Sequence, residues 1–196
     1  MARVLLCGLD EAGRGPLAGP VAAGAVILPP GFPTELLDDS KKLSEKRREA
    51  AFERIEAEAC WGLGVVGHEA IDQMNILQAS LLAMRLAFEQ MAGRLPGWAA
   101  AHGLSEYDVH AVADGTSVPD IMCAALRCEP KADGRYAEVM AASIIAKVSR
   151  DRMMVELDKK YPQYGYARHK GYPTAEHIRI CREIGPSPIQ RRSFRY

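Results

Sequence analysis

Two acids, Asp10 and Glu11, stand directly after the apolar run of residues 3–9, and a turn-forming segment, Gly13-Arg14-Gly15-Pro16, follows them. A run of that length and composition suits a buried strand, so the two carboxylates sit where the chain leaves a hydrophobic core. Removing ionised acids from water costs several kcal/mol each unless a cation compensates, and adjacent like charges raise that cost. Hard oxygen donors suit a hard divalent ion such as Mg²⁺ or Mn²⁺. The same pair can also simply open a turn, and residue type alone does not separate the two readings.

Composition narrows the setting. With 196 residues, 48% hydrophobic and 26% charged, the chain makes one ordinary globular domain or one domain with a small appendage. Lys plus Arg and Asp plus Glu both total 25, so binding to a polyanion has to come from local clustering. No apolar run reaches the roughly 18 residues that span a bilayer, and a cytoplasmic protein that meets no membrane is expected. Five scattered cysteines, an odd number, argue for reduced thiols rather than a disulfide framework.

Residues 3–9 and 21–28 read as strands joined by a short helix-free link, hence antiparallel neighbours. Ser44 is placed to cap a helix reaching Ala59, residues 61–67 form a third strand, and residues 70–91 a helix that Asn75 divides. Residues 93–105 are a Pro- and Gly-punctuated connection. Strands are expected at 108–113 and 121–129, then a long helix over 136–159. On that helix Met140, Ile144, Val148 and Val155 make an apolar stripe, while Ser143, Lys147 and Arg150 share another face. A last helix falls near residues 174–183. Alternating strands and helices predict an α/β sheet with helices packed against it. Residues 1–160 are expected to form the main α/β domain, and 161–196 a basic, helical C-terminal portion packed on it.

Asp10, Asp114 and Asp133 each fall at or just beyond a predicted strand end, where residues distant in sequence can meet on one sheet edge. With Glu11 they make four carboxylates, a set able to hold two ions about 4 Å apart for phosphoryl transfer. The glycines of Gly13-Arg14-Gly15 let backbone approach a ligand closely, and Arg14 can fork onto a phosphate. A dinucleotide fingerprint is excluded, because the third glycine, Gly19, comes one residue late and Pro16 and Pro20 break the helix that should follow. From Tyr161 onward seven Lys or Arg face two acids, a net of +5, with tyrosines and histidines interleaved. That mixture suits a nucleic-acid backbone, and equally a solvated basic tail. Ser40-Lys41-Lys42 adds a second small basic site.

Taken together the segments resemble ribonuclease HII, the type 2 ribonuclease H of bacteria and archaea. The resemblance rests on collinear motifs: residues 8–16, Asp39-Ser40-Lys41-Lys42-Leu43, Asp114-Gly115, Lys131-Ala132-Asp133, residues 141–148, Tyr164-Gly165-Tyr166 with His169-Lys170-Gly171-Tyr172-Pro173-Thr174, and Arg191-Arg192-Ser193-Phe194. It implies a ribonuclease H-like mixed sheet flanked by helices, with a helical C-terminal portion. It also implies an endonuclease that cuts the RNA strand of RNA–DNA hybrids and nicks 5′ of single ribonucleotides in duplex DNA.

By the same resemblance Asp10, Glu11, Asp114 and Asp133 are the catalytic acids and hold two ions, Mn²⁺ or Mg²⁺. Asp10 would bridge them, with Glu11 and Asp114 on one and Asp133 on the other. Gly13, Arg14 and Gly15 would read the 2′-hydroxyl and adjoining phosphate, and Tyr172 would pack on the sugar after the junction. Lys41, Lys42, Ser143, Lys147 and Lys170 are the implied phosphate contacts. The family commonly has Gly where this chain has Ala132, which matters if that position needs a positive φ. A monomer is expected, with no segment after Tyr196 to dock a sliding clamp. Two rivals remain: a metal-dependent phosphatase on small substrates, and a non-catalytic hybrid-binding module.

Overall fold

The computed structural model describes residues 2–37 and 43–195. Lys41 and Lys42 lie outside the described residues, as do Asp39 and Ser40. Strand β1 (Arg3–Ala12) is the centre of a five-stranded sheet; β2 (Val21–Ile27) and β3 (Cys60–Val66) lie on one side, β4 (Tyr107–Asp114) and β5 (Ala125–Glu129) on the other. β2 is antiparallel to β1 and β3, whereas β4 is parallel to β1 and to β5. Helices α1 (Glu45–Glu58), α2 (His68–Met74), α3 (Ile76–Ala101) and α4 (Ala137–Lys160) surround the sheet, and short α5 (Tyr166–His169) and α6 (Ala175–Ile184) follow.

Small residues let helices cover both sheet faces. All seven residues of β2 are buried. A Cβ at Gly24 would land on the Ala142 carbonyl of α4, so glycine there sets how closely that helix approaches. On the opposite face Cys7, Leu9 and Ala25 pack with Ala83, Ala87 and Met91 of α3. Beyond the sheet edge Ile144, Ile145 and Val148 of α4 bury against Phe52 and Ile55 of α1. Each such side chain contributes about 1.5–3 kcal/mol relative to exposure. Ser44 caps α1 by accepting the Arg47 amide at 3.3 Å.

Several elements differ from the expectation. β1 runs on to Ala12 rather than stopping at Leu9, because β2 pairs with it as far as Ala12↔Ala22 and satisfies the backbone of both acids. α3 continues through Pro96 and Gly97 over the segment expected to be a connection. Leu95 and Ala99 are buried there and Trp98 Nε1 donates to the Glu58 carbonyl at 2.9 Å, so packing outweighs the about 3 kcal/mol helix cost of proline. Residues 121–124 are not strand. Val155 is partly exposed, and Met154 takes the buried place on α4. The positive φ near Ala132 belongs to Lys131 (61°), while Ala132 packs with Val112 and Val139. All five cysteines are free, and among the described residues no helix is long and apolar enough to cross a membrane.

The C-terminal segment is not a loose basic tail. Ala18, Met154, Tyr164, Tyr166, Ile180, Cys181 and Ile189 form one buried cluster. Arg191, counted in the sequence among the charges of a basic segment, is fully buried: Nε donates to Gly19 O at 2.9 Å, one Nη to Arg14 O at 3.1 Å, and the other to Gly13 O and Pro20 O at 2.7 and 3.0 Å. Arg168 pairs with Glu176, and Arg179 with Glu183, so part of the apparent positive charge is met locally. Arg191→Met keeps the bulk but orphans the carbonyls of Gly13, Arg14 and Gly19, Pro20 O keeping its bond from Arg150. It should cost about 3 kcal/mol or more, read as a lower urea midpoint with unchanged slope.

Candidate active site

The strand pairings bring the acids of β1 and β4 together. The parallel register ends at Leu9↔Ala113, and one further step sets Asp10 beside Asp114 on strands about 4.8 Å apart. Asp10 also pairs with Gly24, the position pressed against α4, so its side chain shares the α4 face. Ser143 of α4 donates to its carboxylate, and the Glu11 amide donates to Asp10 Oδ1 at 2.7 Å. Burial, and then the neighbouring Glu11, push the Asp10 carboxyl well above the usual carboxylate range, with Asp114 adding to the rise. Glu11 is raised as well, by burial first, while Arg14 at 3.3 Å pulls the other way.

Asp114 acts electrostatically on both Asp10 and Glu11. Its Oδ1 accepts the Ala132 amide at 2.8 Å, which ties the 3₁₀ turn carrying Asp133 to the end of β4. The structure therefore couples Asp10, Glu11 and Asp114 pairwise and tethers the Asp133 turn beside them. Among the described residues, no three His, Cys, Asp or Glu side chains stand close enough to share an ion. A further acid, unnoticed in the sequence, is Glu129, which pairs with Asp114 across the sheet. It has its own partners, Arg135 at 3.0 Å and the Tyr136 hydroxyl at 3.0 Å. Asp10 has no Lys or Arg at ion-pair distance among the described residues. A buried carboxylate lacking a cation, beside two more carboxylates, has the oxygen-donor chemistry a hard divalent ion prefers, although the three do not converge on one point in this structure.

Next to the acids lies the loop of residues 13–20, whose shape is set from below. Arg191 holds the Gly13 and Arg14 carbonyls, and a trans peptide points its N–H opposite to its C=O. The amides of Arg14 and Gly15 are consequently turned away from Arg191. Gly13 has φ 102°, and a Cβ there would collide with the Arg150 side chain, so only glycine fits. Arg150, fully buried, donates to Pro20 O at 2.8 Å, Lys170 O at 3.0 Å and Ala18 O at 3.3 Å. This joins the loop to the segment bearing Tyr172, whose ring lies 3.8 Å from where a Gly15 Cβ would be. Tyr172 is partly exposed, with Lys147 Nζ 5.7 Å from its ring centroid. Lys147 pairs with Asp151 at 2.8 Å, and Lys170 Nζ donates to the Ala167 carbonyl. Glu11, Arg14, Asp114, Gly115, Thr116 and Ser117 line a cavity of about 150 Å³ floored by α3.

The family model for ribonuclease HII matches residues 7–196. The chain belongs to the ribonuclease HII family. It is thereby a ribonuclease H, a hydrolase acting on RNA–DNA hybrids, in a family dependent on divalent metal. It is 48% identical over 193 residues to ribonuclease HII of Treponema denticola, covering 97% of this chain and 98% of that one. To ribonuclease HII of Polynucleobacter asymbioticus it is 45% identical over 195 residues, covering 99% and 94%. Among solved structures it resembles ribonuclease H2 of Pyrococcus horikoshii, with TM-score 0.72, 27% identity and 97% and 93% of the two chains covered. It also resembles the Archaeoglobus fulgidus ribonuclease HII solved in complex with PCNA, with TM-score 0.69, 25% identity and 98% and 96% covered. The mixed sheet flanked by helices is thus the ribonuclease H-like fold.

A raised Asp10 pKa means that the folded chain, in chelator, binds a proton there more tightly than the unfolded chain. Its stability then falls as pH rises from the ordinary carboxylate value towards the higher folded one. Asp10→Asn removes that loss. In EDTA it should melt above the parent at neutral pH and lose the advantage as pH drops into the ordinary carboxylate range. Thermal unfolding between about pH 4 and about pH 8 reads this directly, and a pH-independent difference would exonerate the carboxylate.

Proposed function

We propose that the chain is an endonuclease that cuts the RNA strand of RNA–DNA hybrids to 3′-hydroxyl and 5′-phosphate ends. It also nicks 5′ of a single ribonucleotide embedded in duplex DNA. The observation that carries this reading is the placement of the Arg14 and Gly15 amides and the Tyr172 ring together, beside the coupled acids. A 2′-hydroxyl is the local group that distinguishes RNA from DNA, and backbone donors on a close-approaching glycine loop suit it. Arg14, half exposed, is available to the adjoining phosphate once it releases Glu11. Tyr172 gives the following sugar an apolar face.

Asp10, Glu11, Asp114 and Asp133 would hold the divalent ions, Mn²⁺ or Mg²⁺, with Asp10 shared, Glu11 and Asp114 on one and Asp133 on the other. When bound, such a pair supplies an acidified water as nucleophile and stabilises the departing 3′-oxygen. Ser143 orients the Asp10 carboxylate by donating to it, and the Asp114 contact with the Ala132 amide fixes the turn that presents Asp133. Lys147 and Lys170, close to Tyr172, supply positive charge along the strand; Lys41 and Lys42 are assigned the same role. The enzyme acts as a monomer in the cytoplasm.

A labelled DNA duplex with one ribonucleotide, incubated with protein and Mn²⁺ or Mg²⁺, tests the reading. A single nick on the 5′ side of the ribonucleotide is expected, with none in EDTA or with Asp10→Asn. Tyr172→Ala should lower kcat/KM on this duplex about tenfold, the scale of one lost stacking platform. Cleavage at random positions, or release of phosphate from small monoesters instead, would point to a different enzyme.

A further inference from the structure

Two buried histidines beneath Tyr172 have no part in the chemistry above. His177 lies in the first turn of α6, whose N-cap Thr174 accepts its amide at 3.2 Å. Its ring stacks on His169 at 4.4 Å between centroids and 16° between planes, with Tyr166 edge-on to both. His169 Nε2 lies 2.8 Å from the Tyr164 carbonyl, and its Nδ1 accepts the Gly171 amide at 3.2 Å. One nitrogen therefore carries the proton and the other cannot, which makes His169 neutral. His177 Nδ1 lies 3.0 Å from the Tyr172 carbonyl, to which only a protonated nitrogen can donate. Its Nε2 is buried without a partner among the described residues.

The backbone around Tyr172 needs such support. Lys170 and Gly171 both have positive φ, 51° and 82°, an unfavourable conformation for lysine. The Tyr172 amide donates to His169 O at 2.8 Å, and its carbonyl accepts both Thr174 N at 2.8 Å and His177 Nδ1. Gly171 O accepts the Leu17 amide at 2.8 Å, coupling this corner to the loop of residues 13–20. Every backbone group of residues 171 and 172 is thus held, two of them by imidazoles. We propose that His177, stacked on neutral His169, is a positioning residue. Its Nδ1 hydrogen bond fixes the Tyr172 backbone so that the ring meets the sugar after the RNA-to-DNA junction. This rests on the role given to Tyr172 above, and it assigns the histidine to substrate recognition rather than to the folding of α6 alone.

Asparagine and glutamine at position 177 separate the two. The Asn amide reproduces the donor at the Nδ1 position, whereas Gln carries it one bond too far. On the single-ribonucleotide duplex His177→Gln should raise KM about tenfold with a smaller change in kcat, the scale of one lost hydrogen bond. His177→Asn should stay near the parent. On a uniform RNA–DNA hybrid, which offers no DNA sugar after the cut, both variants should match the parent. In a Tyr172→Ala background His177→Gln should add nothing, because both act through one contact. Equal losses on both substrates, or additivity with Tyr172→Ala, would overturn the proposal. If His177→Gln does not fold, a folded His177→Asn as impaired as Tyr172→Ala overturns it, and one near the parent supports it. Failure of the unmodified protein, or of Tyr172→Ala, to behave as expected on the junction duplex would instead strike at the proposed function itself.

Discussion

Two buried guanidinium groups hold this structure together where it matters. Arg150 of α4 and Arg191 near the C-terminus direct their hydrogen bonds to backbone carbonyls of residues 13, 14, 18, 19, 20 and 170. Burying a charge is costly unless its donors are met, and carbonyls converging from several turns meet them. The loop has little choice of shape as a result: any conformation that turns these carbonyls outward leaves a buried cation unsatisfied. The loop beside the acids is therefore built on a rigid base. Its glycines are permissive residues made stiff by what lies behind them.

The acids have the opposite problem. Asp10, Glu11 and Asp114 are held close by strand pairing and are destabilised by it, since burial and mutual repulsion both penalise their charge. The sheet, with α3 and α4 clamped on its faces, holds the strands in place against that repulsion. Glu129, one strand further out in the same row, is neutralised within the fold instead, because Arg135 and Tyr136 meet its charge directly. Carboxylates perturbed in this way cluster at functional sites.

Much of this could be read before folding. The apolar run into Asp10, the turn glycines, the Ser44 cap and the break at Asn75 all reappear where local chemistry put them. Asn75 turns the chain at φ 71° and ψ 164°, and its side chain caps α3 by accepting the Gln78 amide at 3.1 Å. The misreadings share one cause. Pro96 and Gly97 announce a break, yet α3 passes through them because Leu95 and Ala99 have a core to enter. Arg191 looks like a surface charge in a basic segment, and is fully buried behind the loop of residues 13–20. His177 is one histidine in a helix until its ring is seen on His169. In each case the deciding partner is distant in sequence, and periodicity carries no record of it.

The sequence by itself determined the residue types of the candidate site and their order along the chain, because carboxylates, glycines and an aromatic are the groups the proposed chemistry calls for. It also determined that strands and helices alternate, since hydrophobic period follows from backbone geometry. Only the tertiary structure decided which charges face the cleft and which are enclosed. Whether a guanidinium meets a phosphate or a backbone carbonyl depends on how far the chain has folded back over it, and that distance is set by packing rather than by local propensity.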